Sequence, residues 1–246
     1  MAKTTFMKLV TWNINHRARR KRIPQEMAKA LCSLSPDVIV LTEYVPGPSH
    51  ESFVNELSSS GFSFRHMSAF TPKENHILIV ARSHMVPGEI TGPPIAHALP
   101  SNVLHVRLAA DKLDVLGIRV PDYSKKPAIR RACWDWIEKM ADGVKTHPFV
   151  FLGDFNVDPS YPPSKCGDRI SKLVASGWQH ALPLQGVSYY PIAGGQGKRL
   201  DHAFVSGHFN IVNTQYVWEA GTFVFAGKKP GALSDHAALV VDIELR

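Results

Sequence analysis

The chain has 246 residues, a length that suits one large α/β domain or two small ones, and 44% of them are hydrophobic, enough for a sizeable core. No apolar run approaches the roughly 18 residues of a membrane span, and the first residues carry no signal-peptide core, so an intracellular, cytoplasmic protein is expected. The formal charge of +7 favours polyanionic partners such as nucleic acid or anionic lipid, while Cys32, Cys133 and Cys166, widely spaced and outside any C-x-x-C pattern, read as structural thiols rather than a disulfide framework or zinc site.

In chain order, residues 8–12 read as a first strand running into Asn13-Ile14-Asn15, a pair of amides at i and i+2. Residues 16–22 form the densest basic run, either a solvated loop before a helix or a contact for a phosphate backbone. Pro24 suits a first helical turn, and Met27, Leu31 and Leu34 supply an apolar stripe, with Cys32 packed beside them. Residues 37–43 are β-branched and apolar, as in a strand covered on both faces, and end in the carboxylate of Glu43. Residues 49–60 read as a helix with Phe53, Val54 and Leu57 inward and Gly61 past its end. Strands follow at 62–67 and 76–81, then a Pro/Gly-rich surface excursion over 87–100.

Residues 103–108 and 112–120 read as the two strands of a hairpin. A long helix carries Ile129, Cys133, Trp136, Ile137 and Met140 as its stripe and closes at Gly143. A short helix over 169–176 has Asp168 as a potential cap and Ile170, Leu173 and Val174 inward. An exposed loop over 186–197, strands at 200–205 and 211–217, a basic loop over 224–231 and a closing strand at 237–245 complete the chain. There is no internal repeat or convincing boundary, so one domain over 1–246 is expected, and the alternation of strands and helices gives an α/β class.

One stretch organises the rest. The apolar run of residues 149–152 ends in Gly153-Asp154-Phe155-Asn156, and i, i+2 spacing on an extended chain puts Asp154 and Asn156 on one face with Phe155 turned to a core. A carboxylate beside an amide at a strand end is suited to holding a water or a phosphate oxygen; an Asx-type turn explains the same residues. Other strand ends repeat the theme with Asn13 and Asn15, Glu43, Asp201, and Asp235-His236. Taken together these are oxygen ligands and amides with a single histidine, the chemistry of a hard cation and of phosphate transfer.

Trp12-Asn13-Ile14-Asn15, Leu41-Thr42-Glu43, Gly153-Asp154-Phe155-Asn156, Arg199-Leu200-Asp201-His202 and Ser234-Asp235-His236 resemble, in order, the motif set of the endonuclease/exonuclease/phosphatase superfamily with the DNase I-like fold. The resemblance implies a four-layer sandwich of two mixed β-sheets flanked by helices, with the active site where strand ends converge. It implies a magnesium-dependent phosphodiesterase, with manganese as a substitute ion. Glu43 matches the metal-binding glutamate, with Asn15 and Asp235 near the metal. Asp154 matches the carboxylate that orients or deprotonates the attacking water, Asn156 its partner, and Asn13 a phosphate contact. Asp201 and His236 match a pair in which the carboxylate holds the ring and the ring meets the scissile phosphate.

Two positions depart from the pattern. Arg119 stands where many nucleic-acid-cleaving relatives have Tyr or His, and Asp122 where they have Asn. Arg119, Asp122, Arg130, Arg131 and Tyr189 are candidate substrate contacts, the two helix arginines being placed opposite the apolar stripe. Three functions follow: a nuclease acting on DNA or RNA, with Tyr123, Tyr189 and Tyr190 available to stack on bases; a phosphoesterase acting on a lipid head group or small phosphoester; and a non-catalytic nucleic-acid-binding module. No feature of the sequence assigns an oligomeric state.

Overall fold

A computed structural model describes residues 6–15, 23–72, 74–94, 100–122, 126–191, 195–227 and 231–246. The basic run at 16–22 and Tyr123 lie outside the described residues.

The apolar runs become strands whose alternate side chains feed two different cores, which is why they are apolar throughout rather than alternating with polar residues. One sheet contains β1 (Phe6–Asn13), β2 (Val38–Tyr44), β3 (Phe64–Met67), β4 (His76–Ala81), β11 (Phe209–Val217) and β14 (Ala238–Leu245), in the order β11-β14-β1-β2-β4-β3. The other contains β5 (Met85–Pro87), β6 (Val103–Leu108), β7 (Leu113–Arg119), β8 (Phe149–Asp154), β9 (Gln179–His180) and β10 (Asp201–Val205), in the order β5-β6-β7-β8-β10-β9. Each sheet is mixed: β1 and β2 pair in parallel in the first, β7 and β8 in the second, and the remaining pairs are antiparallel.

The two sheets face each other across a core that takes Leu9 from β1, Val38 and Val40 from β2, and Val150 and Leu152 from β8. The intervening residues point outward. Val10, Trp12, Ile39 and Leu41 pack under the helices α1 (Gln25–Ser33) and α2 (His50–Ser59). Leu116, Ile118, Phe149, Phe151 and Phe204 pack under α3 (Pro127–Val144) and α4 (Asp168–Ala175). Three cores between four layers make this the expected sandwich of two mixed sheets flanked by helices. Among the described residues no helix is long and apolar enough to cross a membrane. All three cysteines are free, with Cys133 and Cys166 buried in the core beneath α3 and α4.

Several local expectations need correction. The buried face of α3 is Arg130, Cys133, Trp134, Ile137 and Ala141, while Ile129, Trp136 and Met140 sit at its margins. The helix is therefore rotated from the expected stripe, and it runs through Gly143 to Val144. In α4, Asp168 is the first helical residue after Gly167 and makes no cap, and Val174 is exposed. The segment expected as a loop from 224 begins with a strand: β12 (Glu219–Ala220) and β13 (Phe223–Val224) form a short ribbon, and Phe225 behind it packs on Trp12 with ring centroids 5.0 Å apart.

Candidate active site

The parallel pairs deliver their C-terminal ends to one edge of the sandwich. In β1 and β2, Asn13 lies beside Thr42; in β7 and β8, Arg119 lies beside Asp154. The antiparallel neighbours bring their N-terminal ends to the same edge, so that Asp201 of β10 sits opposite Asp154 and His236 just precedes β14. Between them opens a cleft of about 490 Å³. Its walls include Asn13, Asn15, Glu43, Arg119, Asp122, Arg130, Asp154, Asn156, Tyr189, Asp235 and His236. Asp201 stands behind His236 rather than in the wall, and Arg131 is exposed on α3 outside it.

Asp154 is the most heavily held group. Its Oδ2 accepts Asn13 Nδ2 at 2.8 Å and Asn156 Nδ2 at 3.0 Å, and its Oδ1 accepts the Asn156 backbone N–H at 2.9 Å. The last of these is an Asx turn, so turn chemistry and the clustering of polar groups are the same feature here. Asn13 repeats it, accepting the Asn15 backbone N–H at 2.9 Å. Asn156 also donates to Val120 O at 2.8 Å, which ties the end of β8 to that of β7. Gly153 is required for that closeness: its φ is +147°, and a Cβ there would stand 1.9 Å from Ile118 O.

Three other residues at this edge adopt left-handed backbone, Asn15 (φ 53°), Glu43 (φ 54°) and Asn156 (φ 50°). Such angles are uncommon outside glycine and cluster where a side chain has to be aimed. For Glu43 the cause is visible: the β2–β4 register shifts between Leu41 and Tyr44, and a bulge there redirects the carboxylate to the cleft.

His236 Nδ1 lies 2.8 Å from Asp201 Oδ2, which leaves Nε2 for the cleft. The ring packs at 4.9 Å between centroids on Tyr189, whose backbone bridges that of His236. Ser234 fixes the approach, donating to Asn13 O at 2.6 Å and accepting the His236 N–H at 3.2 Å. Ser188 fixes Asp201 from below, accepting its N–H at 3.1 Å. Burial and then the neighbouring Asp201 charge push the Asp154 carboxyl up to about 7. Burial works against a charge on His236, but the Asp201 charge and hydrogen bond, with Asp154 and Asp235, prevail and push it up to about 9.

The two departures from the motif pattern are both in ion pairs. Arg119 Nε donates to Glu43 Oε1 at 3.0 Å, and its Nη2 reaches the same oxygen. Arg130 Nη2 donates to Asp122 Oδ1 at 2.8 Å. Arg130 is only 8% exposed, so the expectation that it lies opposite the apolar stripe is wrong; it shares the buried face of α3, and Asp122 neutralises its head.

The sequence model of the Endonuclease/Exonuclease/phosphatase family matches residues 10–236. The chain belongs to this family. Among solved structures, the endonuclease/exonuclease/phosphatase from Beutenbergia cavernae superposes with a TM-score of 0.70 at 19% identity, over 98% of this chain and 72% of that one. The AP endonuclease from Archaeoglobus fulgidus gives 0.66 at 18% identity, over 96% and 98% of the two chains. The 3′ phosphatase NExo from Neisseria, bound to a product DNA hairpin, gives 0.64 at 20%, over 96% and 98%. At these identities the likeness is one of fold. No curated protein matches the sequence.

The hard cation expected of the family can be tested on the donor set. Glu43, Asp154, Asp201 and Asp235 interact with one another, and burial, with Glu43 and Asp201 adding to it, also pushes Asp235 above the usual carboxylate range. Facing them are Arg119 and His236. The oxygen donors Glu43, Asn15 and Asp235 in the cleft wall are of the kind that a hard divalent cation takes together with water. Among the described residues no group of three His, Cys, Asp or Glu forms a ready-made metal cage, so an ion at this edge would complete its shell with an amide oxygen, water or substrate oxygens.

Tyr161, Lys165 and Leu200 also line the cleft; sequence reasoning missed the first two and had Leu200 only as a member of the Arg199–His202 motif. Tyr161 carries Lys165 Nζ 5.6 Å and Lys198 Nζ 5.2 Å from its ring centroid. Tyr161 and Lys165 lie in the connecting segment between β8 and α4, whose place is set by tertiary contacts such as Arg199 N donating to Asp158 Oδ2 at 2.8 Å, and no local pattern marks them. Tyr190 leaves the cleft and packs on Trp218 with ring centroids 4.8 Å apart.

Proposed function

We propose that this chain is a metal-dependent phosphodiesterase that hydrolyses DNA or RNA by in-line attack of water. The observation that carries the reading is the meeting, at one edge, of a buried Asp154 held by two amides and a His236 backed by Asp201. Asp154, with its proton affinity pushed up to about 7, orients the water and takes its proton as the water oxygen bonds to phosphorus. Asn13 and Asn156 keep that carboxylate aimed. His236, cationic at neutral pH, meets the phosphate and stabilises the charge that builds as the P–O bond to the leaving group breaks. Asp201 holds its ring in one orientation.

Magnesium, or manganese in its place, would be held by Glu43 with Asn15 and Asp235, and its chemistry there is to neutralise non-bridging oxygens of the phosphate. The charge of +7 and the Tyr161, Lys165 and Lys198 cluster support a polyanionic substrate. Arg119 and Arg130 support a second reading of the substrate as a lipid head group or small phosphoester, because two guanidiniums in one cleft suit a compact, highly charged phosphate.

Incubation with duplex, abasic and single-stranded DNA and with RNA, in magnesium, manganese or EDTA, tests the proposal. Cleavage that EDTA abolishes is the expected result. No cleavage of any of them, with release of phosphate from a small-phosphoester panel, favours the second reading. Binding without turnover on either panel would make the chain a binding module.

A further inference from the structure

We infer that Arg119 is a built-in counter-cation on Glu43, which a divalent ion has to displace or share, so that this arginine sets how tightly the cleft takes a metal. The inference rests on the reading above in one respect: Glu43 is taken as the carboxylate that meets the ion.

The geometry is that of a formed ion pair. The side chains of Arg119 and Glu43 are 13% and 10% exposed, and two guanidinium nitrogens converge on a single carboxylate oxygen, Oε1. Both ends are fixed by backbone. Glu43 is aimed by the bulge in β2 and its left-handed φ of 54°. Arg119 ends β7 in register with Asp154, so its side chain starts from the floor of the cleft.

A phenol or imidazole at this position is neutral or can become neutral. A guanidinium keeps its charge at any pH the protein survives, so it leaves Glu43 only by exchange for another cation or by turning to another anion. An ion arriving at Glu43 therefore meets two obstacles, an oxygen already engaged and a fixed positive charge a few ångströms away. An arriving phosphate offers Arg119 the alternative partner, and a planar guanidinium binds phosphate well. Arg119 is thus a positioning residue for the metal.

The test is manganese(II) binding to the 246-residue chain, read from the free-ion electron paramagnetic resonance signal without substrate. Arg119→Gln is expected to bind the ion on the order of tenfold more tightly than the wild type, the scale of removing one close charge from a divalent ion. Arg119→Lys, which keeps the charge, is expected to stay near the wild type, and adding Glu43→Gln to Arg119→Gln is expected to cancel the gain. Arg119→Met replaces the glutamine variant if the latter does not fold, as judged by its thermal transition. Equal or weaker binding by the neutral variant overturns the inference while leaving Glu43 as a ligand, provided Glu43→Gln alone weakens binding. If Glu43→Gln has no effect on manganese binding, the role of Glu43 fails and the inference fails with it.

Discussion

Asp201 lies directly opposite Asp154 across the β8–β10 ladder, and its carboxylate holds His236 at 2.8 Å. The charge of the neighbouring Asp201 adds to burial in raising the Asp154 carboxyl, and the imidazolium of His236 works the other way. The arrangement divides the labour: Asp201 is spent on the histidine, and Asp154 is left with an affinity for protons near neutrality.

The pH profile follows from that division. In the proposed mechanism Asp154 works as its anion and His236 as its cation, so activity is expected to be lost as pH falls below about 7 and as it rises above about 9. A bell-shaped dependence of kcat/KM between those limits is expected. Asp201→Asn removes the charge that raises the histidine, so the alkaline limb moves to lower pH and kcat falls on the order of 100-fold or more with KM little changed. An unmoved alkaline limb in that variant would show that another group carries it.

Gly153→Ala tests the backbone under the site. Its added Cβ would meet Ile118 O at 1.9 Å, and the φ of +147° is closed to alanine. The β7–β8 pair cannot part without breaking its ladder, so destabilisation of at least about 3 kcal/mol is expected in urea denaturation, with loss of activity.

This glycine shows how much the sequence discloses. Asp154 and Asn156 were legible as a pair because i, i+2 spacing at the end of an apolar run brings two polar residues together whether the chain stays extended or closes an Asx turn, and Asn13 with Asn15 repeats it. Runs such as 149–152, apolar at every position, were legible as strands covered on both faces of an α/β fold, whereas the four-layer sandwich came only with the resemblance of the motifs to the family. The phase of α3 was not: Trp134 and Trp136 are equally apolar, and only packing chooses Trp134 for the core. Nor was the pairing of Arg119 with Glu43, 76 residues away and set by a bulge that leaves no local signature.

A histidine pair away from the cleft is expected to contribute to the loss of stability in acid. His180 Nε2 lies 3.0 Å from His202 Nδ1, and burial, then the His202 charge, push His180 down to about 3. A folded-state affinity below the unfolded value near 6.5 means that the unfolded chain binds the proton first as pH falls. Its contribution to stability is full above about 6.5 and is lost towards pH 3, at up to about 1.4 kcal/mol per pH unit. His180→Gln should flatten that slope in urea titrations at successive pH values; an unchanged slope would assign it elsewhere.

The central claim is that Asp154 serves hydrolysis rather than the fold or binding. The direct measurement is cleavage of an end-labelled oligonucleotide in magnesium by the wild type and by Asp154→Asn, with binding of the same strand measured in EDTA. The expected result is turnover by the wild type, at least about a 1000-fold loss in the variant, and binding within a few-fold of wild type. Undiminished cleavage by Asp154→Asn, or a loss explained wholly by weaker binding, would contradict it.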